Sequence, residues 1–385
     1  MKRIFATLFL MVVGGLLLAQ TPDPTPKKEE PKKKEWYEKL SIGGDFRLRA
    51  EDFNQSGTAD RLRERFRLRL KMSTQLSDDT KFTFALRSGD PNNPVSDNQD
   101  FGNGENKKGF NIAEAYVSWN PSAYFLLNAG KFPQKGGRIY SDMEWDDNVD
   151  VEGLLEKLSF ASGAAPGVTQ NAFNVSAFEY DLKENGASNK DAYVVGIQPY
   201  YEMKADITSF ILGATYEKYY DADSVAAMTF GKTLTGNPLT NAYTSSGSTF
   251  GNLLSQFKIL EGFINFKTMF GSVPFGAYAH YYKNQGAYND QDKAYFLRAE
   301  VGDGKSEGTW QARYTYYDLE KEALFYAFVQ ADLTIGTGSK SHRFDLTYAA
   351  TKFSSMGLTV YLTKRIDDPT YKQLMRSQLD YVIRF

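Results

Sequence analysis

The residues best suited to chemistry in this chain are basic side chains that recur at every second position. We call them the basic row: Arg47, Arg49, Arg61, Arg63, Arg65, Arg67, Arg69, Lys71 and Arg87. In an extended strand such side chains project from one face, whereas an α-helix would spread them around its circumference. The residues between them are largely leucine, phenylalanine and methionine, so the opposite face is apolar. A row of cations can pair with carboxylates or attract anions.

Residues for catalysis are sparse by comparison. His280 and His342 are the only histidines, and there is no cysteine. Neither histidine lies in a zinc-binding or hydrolase motif, and no phosphate-cradling glycine loop is present. The sequence therefore predicts no enzyme, no metal site and no cofactor. Carboxylate pairs acting alone leave a hydrolase as an alternative.

The N-terminus has the pattern of an export signal. Lys2 and Arg3 precede an apolar stretch over residues 4–18, which is short for a membrane helix of about 20 residues. Residues 1–19 are therefore predicted to be a signal peptide, and the lack of cysteine argues against a lipid-modified terminus. Residues 20–39 are rich in proline and charge and are predicted to be a periplasmic linker without a fold.

Composition and periodicity together indicate a transmembrane barrel. Charged residues make up 24% of the chain and the mean hydropathy is −0.47, yet 25 tyrosines and 28 phenylalanines are present. This combination suits strands whose side chains alternate between lipid and a lumen. Residues 40–385 are predicted to form an all-β, antiparallel up-and-down barrel of about sixteen strands. Residues 322–335 are a possible further strand.

The connections and strand ends agree with this prediction. Short turns near residues 78, 121, 205, 272, 304 and 354 alternate with mostly longer segments, as expected for periplasmic turns and external loops. The ends predicted to be periplasmic carry aromatic residues, as an interfacial girdle would: Trp36, Trp119, Trp310 and Tyr381. The apolar face of the last strand is predicted to be the signal read by the outer-membrane barrel assembly machinery: Leu379, Tyr381, Ile383 and Phe385.

With these features the chain resembles bacterial outer-membrane porins of the sixteen-stranded, general-porin kind. The residues that carry the resemblance are 44–49 (GDFRLR), 61–69 (RLRERFRLR), 115–117 (AYV), 129–132 (AGKF), 146–153, 314–318 (YTYYD), 330–334 (QADLT) and Phe385. They extend over almost all of the chain from residue 40 onward. The resemblance implies a homotrimer and a third external loop folded into the pore, and counting loops assigns that loop to residues 133–148.

The barrel prediction also assigns positions to the charged residues. The basic row should face the lumen, because each cation turned to lipid would cost about 2–4 kcal/mol near the midplane. The third loop carries the acids expected at the constriction: Asp142, Glu144, Asp146 and Asp147. Such a loop opposite a cationic wall would create a transverse field that biases ion selectivity. Alternatively, the row pairs with wall carboxylates such as Asp45, Glu51 and Glu114 and makes the barrel rigid.

The implied function is passive diffusion of ions and small hydrophilic solutes through the outer membrane of a diderm bacterium. Two alternatives stay open: a channel specific for anions or sugars, and a plugged barrel with a structural or adhesive role. The expected partners are outer-membrane lipid, lipopolysaccharide and the solutes themselves. Nucleic acid is not expected, because the basic residues would point into a lumen and not onto an exposed surface.

Overall fold

Sixteen antiparallel strands form one closed barrel in the computed structural model, which describes residues 36–102, 104, 106–163, 169–186, 190–230 and 237–385. The main sheet has seventeen strands, and removing the two-residue strand Gln99–Asp100, which belongs to a loop, leaves sixteen. The prediction of about sixteen strands is confirmed. The predicted signal peptide, residues 1–19, and most of the predicted linker lie outside the described residues.

The strands follow one another around the barrel in chain order. They are β1 Ser41–Gln55, β2 Arg61–Gln75, β3 Thr80–Ser88, β4 Phe110–Ser122, β5 Phe125–Pro133, β6 Asp150–Ser162, β7 Gln170–Lys183, β8 Ala192–Ala205, β9 Thr208–Tyr220, β10 Lys258–Phe270, β11 Val273–Asn284, β12 Lys293–Gly302, β13 Trp310–Leu319, β14 Ser339–Ala349, β15 Ser354–Arg365 and β16 Leu374–Arg384. Each pairs with the next, so the topology is up-and-down.

Pairing between β16 and β1 closes the barrel. Their register runs from Asp45 opposite Arg384 to Gln55 opposite Leu374. At the chain end, the Phe385 N–H donates to the Gly44 carbonyl at 3.1 Å and the Gly44 N–H donates back at 2.8 Å. Closure gives each of the sixteen barrel strands two paired neighbours, which an apolar surrounding requires.

Two-residue alternation decides which side chains point outward. In β2, Leu62 is 71% exposed on the outer surface, whereas Arg49 of the neighbouring strand β1 is only 8% exposed inside the barrel. Residues directly opposite in an antiparallel pair share a face, and Arg49 is opposite Arg65. The basic row therefore lies on the inner wall.

The two ends of the barrel differ. One end, the turn end, has tight connections such as residues 206–207 and 271–272, and the other, the loop end, has long ones. Trp119 and Trp310 lie at the turn end, as does Trp36, which begins the short 3-10 helix Trp36–Lys39. The Thr74 hydroxyl donates to the Trp36 carbonyl at 2.7 Å, so the last residues of the predicted linker are attached to the rim. Within the described residues, no helix is long and apolar enough to cross a membrane.

Loops from the loop end fill part of the interior with apolar side chains. Residues 134–149 follow β5, and Trp145 of this loop is fully buried. Its ring stacks on Phe328 of the 320–338 loop, with centroids 4.5 Å apart and planes 11° from parallel. Both rings belong to one buried cluster that includes wall residues such as Tyr180 and Tyr317. The barrel interior near the loop end is therefore a packed apolar core.

The 320–338 loop corrects one prediction from the sequence. Residues 322–335 do not form a strand; they fold inward and end in the 3-10 helix Ala331–Leu333. Every residue from 323 to 329 is buried, so the segment has no lipid-facing side for a strand to present. Two of its backbone carbonyls accept hydrogen bonds from the side-chain amide of Asn237, those of Tyr326 at 3.0 Å and Val329 at 2.6 Å.

A glycine pair tests the barrel geometry. Gly153 is opposite Gly130, and both have positive φ, 146° and 122°. A Cβ on Gly153 would lie 2.1 Å from the Glu179 carbonyl oxygen. We expect Gly153→Ala to lower the free energy of unfolding by about 1–3 kcal/mol, measured by urea unfolding in detergent. Gly262→Ala is the matched control, because nothing lies within 4 Å of its added Cβ. Equal stability of both variants would contradict the strained geometry.

Candidate functional site

The basic row forms a ladder of cations across β1, β2 and β3. Register places like charges face to face: Arg47 is opposite Arg67, and Arg49 is opposite Arg65. Like charges directly across a strand pair are destabilising. The row can therefore persist only if carboxylates are placed between its members.

Glu51 neutralises several cations of the basic row at once. Its carboxylate is fully buried and accepts hydrogen bonds from Arg63 at 2.5 Å, Arg376 at 2.9 Å and Arg49 at 3.4 Å. Arg65 lies 3.8 Å away. One carboxylate from β1 thus joins cations from β1, β2 and β16, which holds the closing strands together across the inner wall.

Other wall carboxylates complete the ladder. Asp45 pairs with Arg67 at 2.5 Å. Glu114 of β4 pairs with Lys71 at 2.7 Å and with Arg87 at 2.6 Å. The three wall carboxylates expected from the sequence therefore pair with the row, as the second of the two interpretations proposed.

Loop residues also reach the row, and sequence reasoning missed them. In the 89–109 loop, Asp97 pairs with Arg69 at 2.5 Å and Asp100 pairs with Arg65 at 2.5 Å. The Asn98 side chain accepts from Arg47 at 2.6 Å. These residues follow β3 in a segment without two-residue periodicity, so no strand pattern could have placed them.

Asp332 is the corresponding contact from the 320–338 loop. It pairs with Arg376 at 2.8 Å and with Arg49 at 3.6 Å. Burial alone would raise the pKa of Asp332, but these two cations hold it well below its usual range. The tip of this loop is thus attached electrostatically to β1 and β16.

The four acids of the 134–149 loop lie elsewhere, and in the described contacts none is ion-paired or hydrogen-bonded to the basic row. Asp142 is buried and binds Arg298 at 2.7 Å and Arg343 at 3.3 Å, on β12 and β14. Glu144 binds Arg138 of the same loop at 3.0 Å. The acids of this loop thus bind other parts of the wall, whereas its Asn148 side chain accepts a hydrogen bond from Arg69 of the basic row at 2.7 Å.

Arg138 also connects the loop to the wall, because it lies 3.2 Å from Glu217 of β9. Glu144 and Glu217 share this one cation, and burial with the neighbouring acids raises the pKa of Glu144 well above its usual range. Nearby, Ser141 and Tyr282 are hydrogen-bonded at 2.8 Å. The third loop is therefore fixed to the strands by buried polar contacts.

The last two acids have different surroundings. Asp147 is exposed and pairs with Lys135 at 2.6 Å. Asp146 is buried and accepts from the Asn148 N–H at 2.9 Å and the Ala331 N–H at 3.0 Å. Asp146 therefore joins the 134–149 loop to the 320–338 loop, and burial raises its pKa to about 8.

Across the part of the chain that the structure describes, no group of three or more histidine, aspartate or glutamate side chains could hold a metal ion. His280 is hydrogen-bonded to Glu261 at 2.7 Å, and His342 lies on the outer face at 2.8 Å from the Tyr314 hydroxyl. The lumen chemistry is that of paired charges.

The chain is similar in sequence to one protein family and similar in fold to solved barrel structures. The model of a family described as "Putative porin" matches residues 53–252 and 264–385. The solved structure of OprB from Pseudomonas putida is similar with a TM-score of 0.57 and 11% identity, over 91% of this chain and 95% of that one. OmpF from Salmonella typhi, in a complex with daunomycin, gives a TM-score of 0.54 and 12% identity over 90% and 97%. These two likenesses concern the fold alone. A search of curated protein sequences found no match.

Removing the Glu51 charge tests the ladder. Glu51→Gln leaves several buried arginines without their shared anion, so we expect the free energy of unfolding to fall by about 3–5 kcal/mol. Urea unfolding in detergent measures it. Glu64→Gln is the control, because Glu64 is exposed on the outer face of the same strand pair, opposite Ala50. A loss below about 0.5 kcal/mol for both variants would contradict the assigned role.

Asp146 predicts a pH dependence. Its folded pKa of about 8 exceeds its ordinary value of 3.8, so the folded state binds an extra proton between these values. Stability of the loop contact therefore falls as pH rises through this window and is lowest above about pH 8. We expect residues 320–338 to exchange amide hydrogens faster at about pH 9 than at about pH 6, after correction for intrinsic rates. Asp146→Asn should remove the difference; an unchanged difference would refute the assignment.

Proposed function

The chain belongs to the putative porin family, and we propose that it is a passive diffusion channel for ions and small hydrophilic solutes in the outer membrane. The observation that carries the proposal is the closed sixteen-strand barrel with a charged inner wall and an apolar outer wall. A lumen lined by charges favours water and solutes, and an apolar exterior favours lipid. The turn end is then periplasmic and the loop end external.

Lumen cations without a carboxylate partner support a preference of the proposed channel for anions. Lumen carboxylates near the turn end have cation partners: Glu202 pairs with Lys204 at 2.9 Å, and Glu300 pairs with Arg313 at 3.3 Å. Three lumen cations there have no carboxylate within 4.0 Å among the described residues: Lys157, Lys267 and Arg384. A surplus of cations raises the local concentration of anions.

The inward loops define the narrow part of the proposed channel. The 134–149 loop and the 320–338 loop meet through Trp145, Phe328 and Asp146 at the external side. On this proposal, solutes pass through the space that the loops leave open beside the contacts of Asp332 with Arg49 and of Asn148 with Arg69, and the basic row lines the pore. On this proposal, Asp142, Glu144 and Asp147 contribute to the constriction as ion pairs, and Asp146 contributes through its hydrogen bonds to the Asn148 and Ala331 N–H groups.

The same loops favour a second candidate, a plugged barrel with a structural or adhesive role. Residues 323–329 are all buried inside the barrel, together with Trp145 and Met143. An apolar core of this size in the external half would block conduction if it left no continuous water path. Conductance distinguishes the two candidates.

Export, assembly and oligomerisation belong to the same proposal. Residues 1–19 would direct export, and three copies would form a trimer. The barrel assembly machinery would recognise the final strand, whose apolar residues face outward and are 38–60% exposed: Leu379, Tyr381, Ile383 and Phe385.

Single-channel recording in a planar bilayer under a salt gradient tests the channel. We expect stepwise conductance and a reversal potential whose sign indicates anion preference. The triple variant Lys157→Gln/Lys267→Gln/Arg384→Gln should lose most of that preference, because it removes the uncompensated lumen charges.

Lys364→Gln is the control for these recordings, since Lys364 is exposed on the outer face of the barrel. It should leave the reversal potential unchanged. Insertion without conductance would replace the channel by the plugged barrel. Cation preference of the unmodified protein would refute the assigned selectivity.

A further inference from the structure

The outer face of the barrel carries a band of lysines near the loop end. We call it the lysine arc: Lys218, Lys258, Lys283, Lys293, Lys340 and Lys364. They come from β9, β10, β11, β12, β14 and β15, each close to the external end of its strand. The inward neighbours Glu217 and Ile259 are buried, so alternation turns Lys218 and Lys258 outward.

Strand register makes the lysine arc unfavourable by itself. Lys218 is directly opposite Lys258, Lys283 is opposite Lys293, and Lys340 is opposite Lys364. These are three cross-strand pairs of like charge. Such pairs destabilise a sheet unless an anion lies between or above them.

The protein supplies too few anions to neutralise the lysine arc. Asp292 lies 3.7 Å from Lys283 and 3.9 Å from Lys293, and Asp318 lies 3.0 Å from Lys340. Among the described residues, no carboxylate lies within 4.0 Å of the other three lysines. The side chains of Lys283, Lys293 and Lys340 are still 45%, 40% and 47% exposed. Net positive charge therefore remains available to an external partner.

Aromatic side chains set the depth of the lysine arc in the membrane. Tyr281 and Tyr295 are opposite each other on the outer face, one step below Lys283 and Lys293, with ring centroids 5.1 Å apart. On the same face, Tyr316 is opposite His342, which follows Lys340 by two residues on β14. Outward tyrosines are typical of the interface between acyl chains and headgroups. The lysines just beyond them are at headgroup depth.

The rest of the rim has the opposite charge. On β1, β2, β6 and β7 the outward residues at the external end are mostly acidic: Asp52, Glu64, Glu152, Glu179 and Asp181. Lys131 is an exception, and it pairs with Glu152 at 2.8 Å. The rim thus has its lysines mainly on β9–β15 and most of its outward acids on β1, β2, β6 and β7, whereas β4 and β16 have exposed apolar residues at this end, such as Ile112 and Met375.

We propose that the lysine arc binds the phosphate groups of anionic lipid in the external leaflet. The lysines lie at one depth on six of the seven neighbouring strands β9–β15, and β13 has Asp318 at that level. This spread fits a layer of headgroups better than one compact ligand. A phosphate between two opposed lysines would convert each repulsive pair into two charge-assisted contacts. The inference rests on the barrel spanning the membrane, as proposed above, but does not require it to conduct ions.

The test uses the full-length protein in phosphatidylcholine vesicles that contain a small fraction of spin-labelled, diphosphorylated lipid A. Electron paramagnetic resonance measures the motionally restricted fraction of that lipid. The variant Lys218→Gln/Lys258→Gln/Lys283→Gln/Lys293→Gln should bind it about tenfold more weakly than the unmodified protein, and added salt should weaken the binding by the unmodified protein. The variant should still fold, because it removes two repulsive pairs.

A matched variant removes the same number of charges from other places: Lys131→Gln/Lys157→Gln/Lys204→Gln/Lys267→Gln. It should retain lipid A as the unmodified protein does. Equal retention by all three proteins overturns the proposal, as does equal loss in both variants, which would be an effect of net charge. Competition by inorganic phosphate at matched concentration would identify free phosphate as the ligand and also overturn it. Conductance recorded from the same samples shows separately whether the channel proposal fails.

Discussion

The structure depends on one constraint: every backbone hydrogen-bonding group in an apolar surrounding must find a partner within the protein. The barrel meets it by pairing β16 with β1, down to the exchange of hydrogen bonds between Gly44 and Phe385. Closure fixes an inside and an outside for every strand. Since side chains alternate, the apolar half must face lipid and the basic row must face inward.

Placing the basic row inside creates a second requirement, because opposed arginines repel each other at short range. The barrel meets it with carboxylates drawn from three sources: the wall itself, as at Glu51, the 89–109 loop, as at Asp97, and the 320–338 loop, as at Asp332. The compensation therefore also determines where loops go. A loop whose acid binds an inner arginine must fold into the barrel, and in doing so it narrows the lumen.

Inner and outer surfaces solve the same electrostatic problem in different ways. Inside, nearly all opposed cations have protein carboxylates within reach, and the interior is a rigid network of ion pairs around an apolar core of loop residues. Outside, the carboxylates within 4.0 Å of the opposed lysines at the external rim are, among the described residues, Asp292 and Asp318. The ion-paired interior narrows the lumen through which solutes would pass. The lysines of the outer rim keep positive charge that is available to surrounding lipid.

The sequence by itself indicated the barrel class, the approximate number of strands and the direction of the basic row, and it offered pairing with Asp45, Glu51 and Glu114 as one of two interpretations. These follow from two-residue periodicity, which is local and survives without knowledge of the fold. It failed for residues 322–335, whose apolar run 323–329 resembles a strand although every residue in that run is buried. Only the tertiary structure decided that Asp142 meets Arg298, or Asp332 meets Arg376. Such contacts join residues far apart in the chain, and the path of an irregular loop leaves no periodic signal from which they could be predicted.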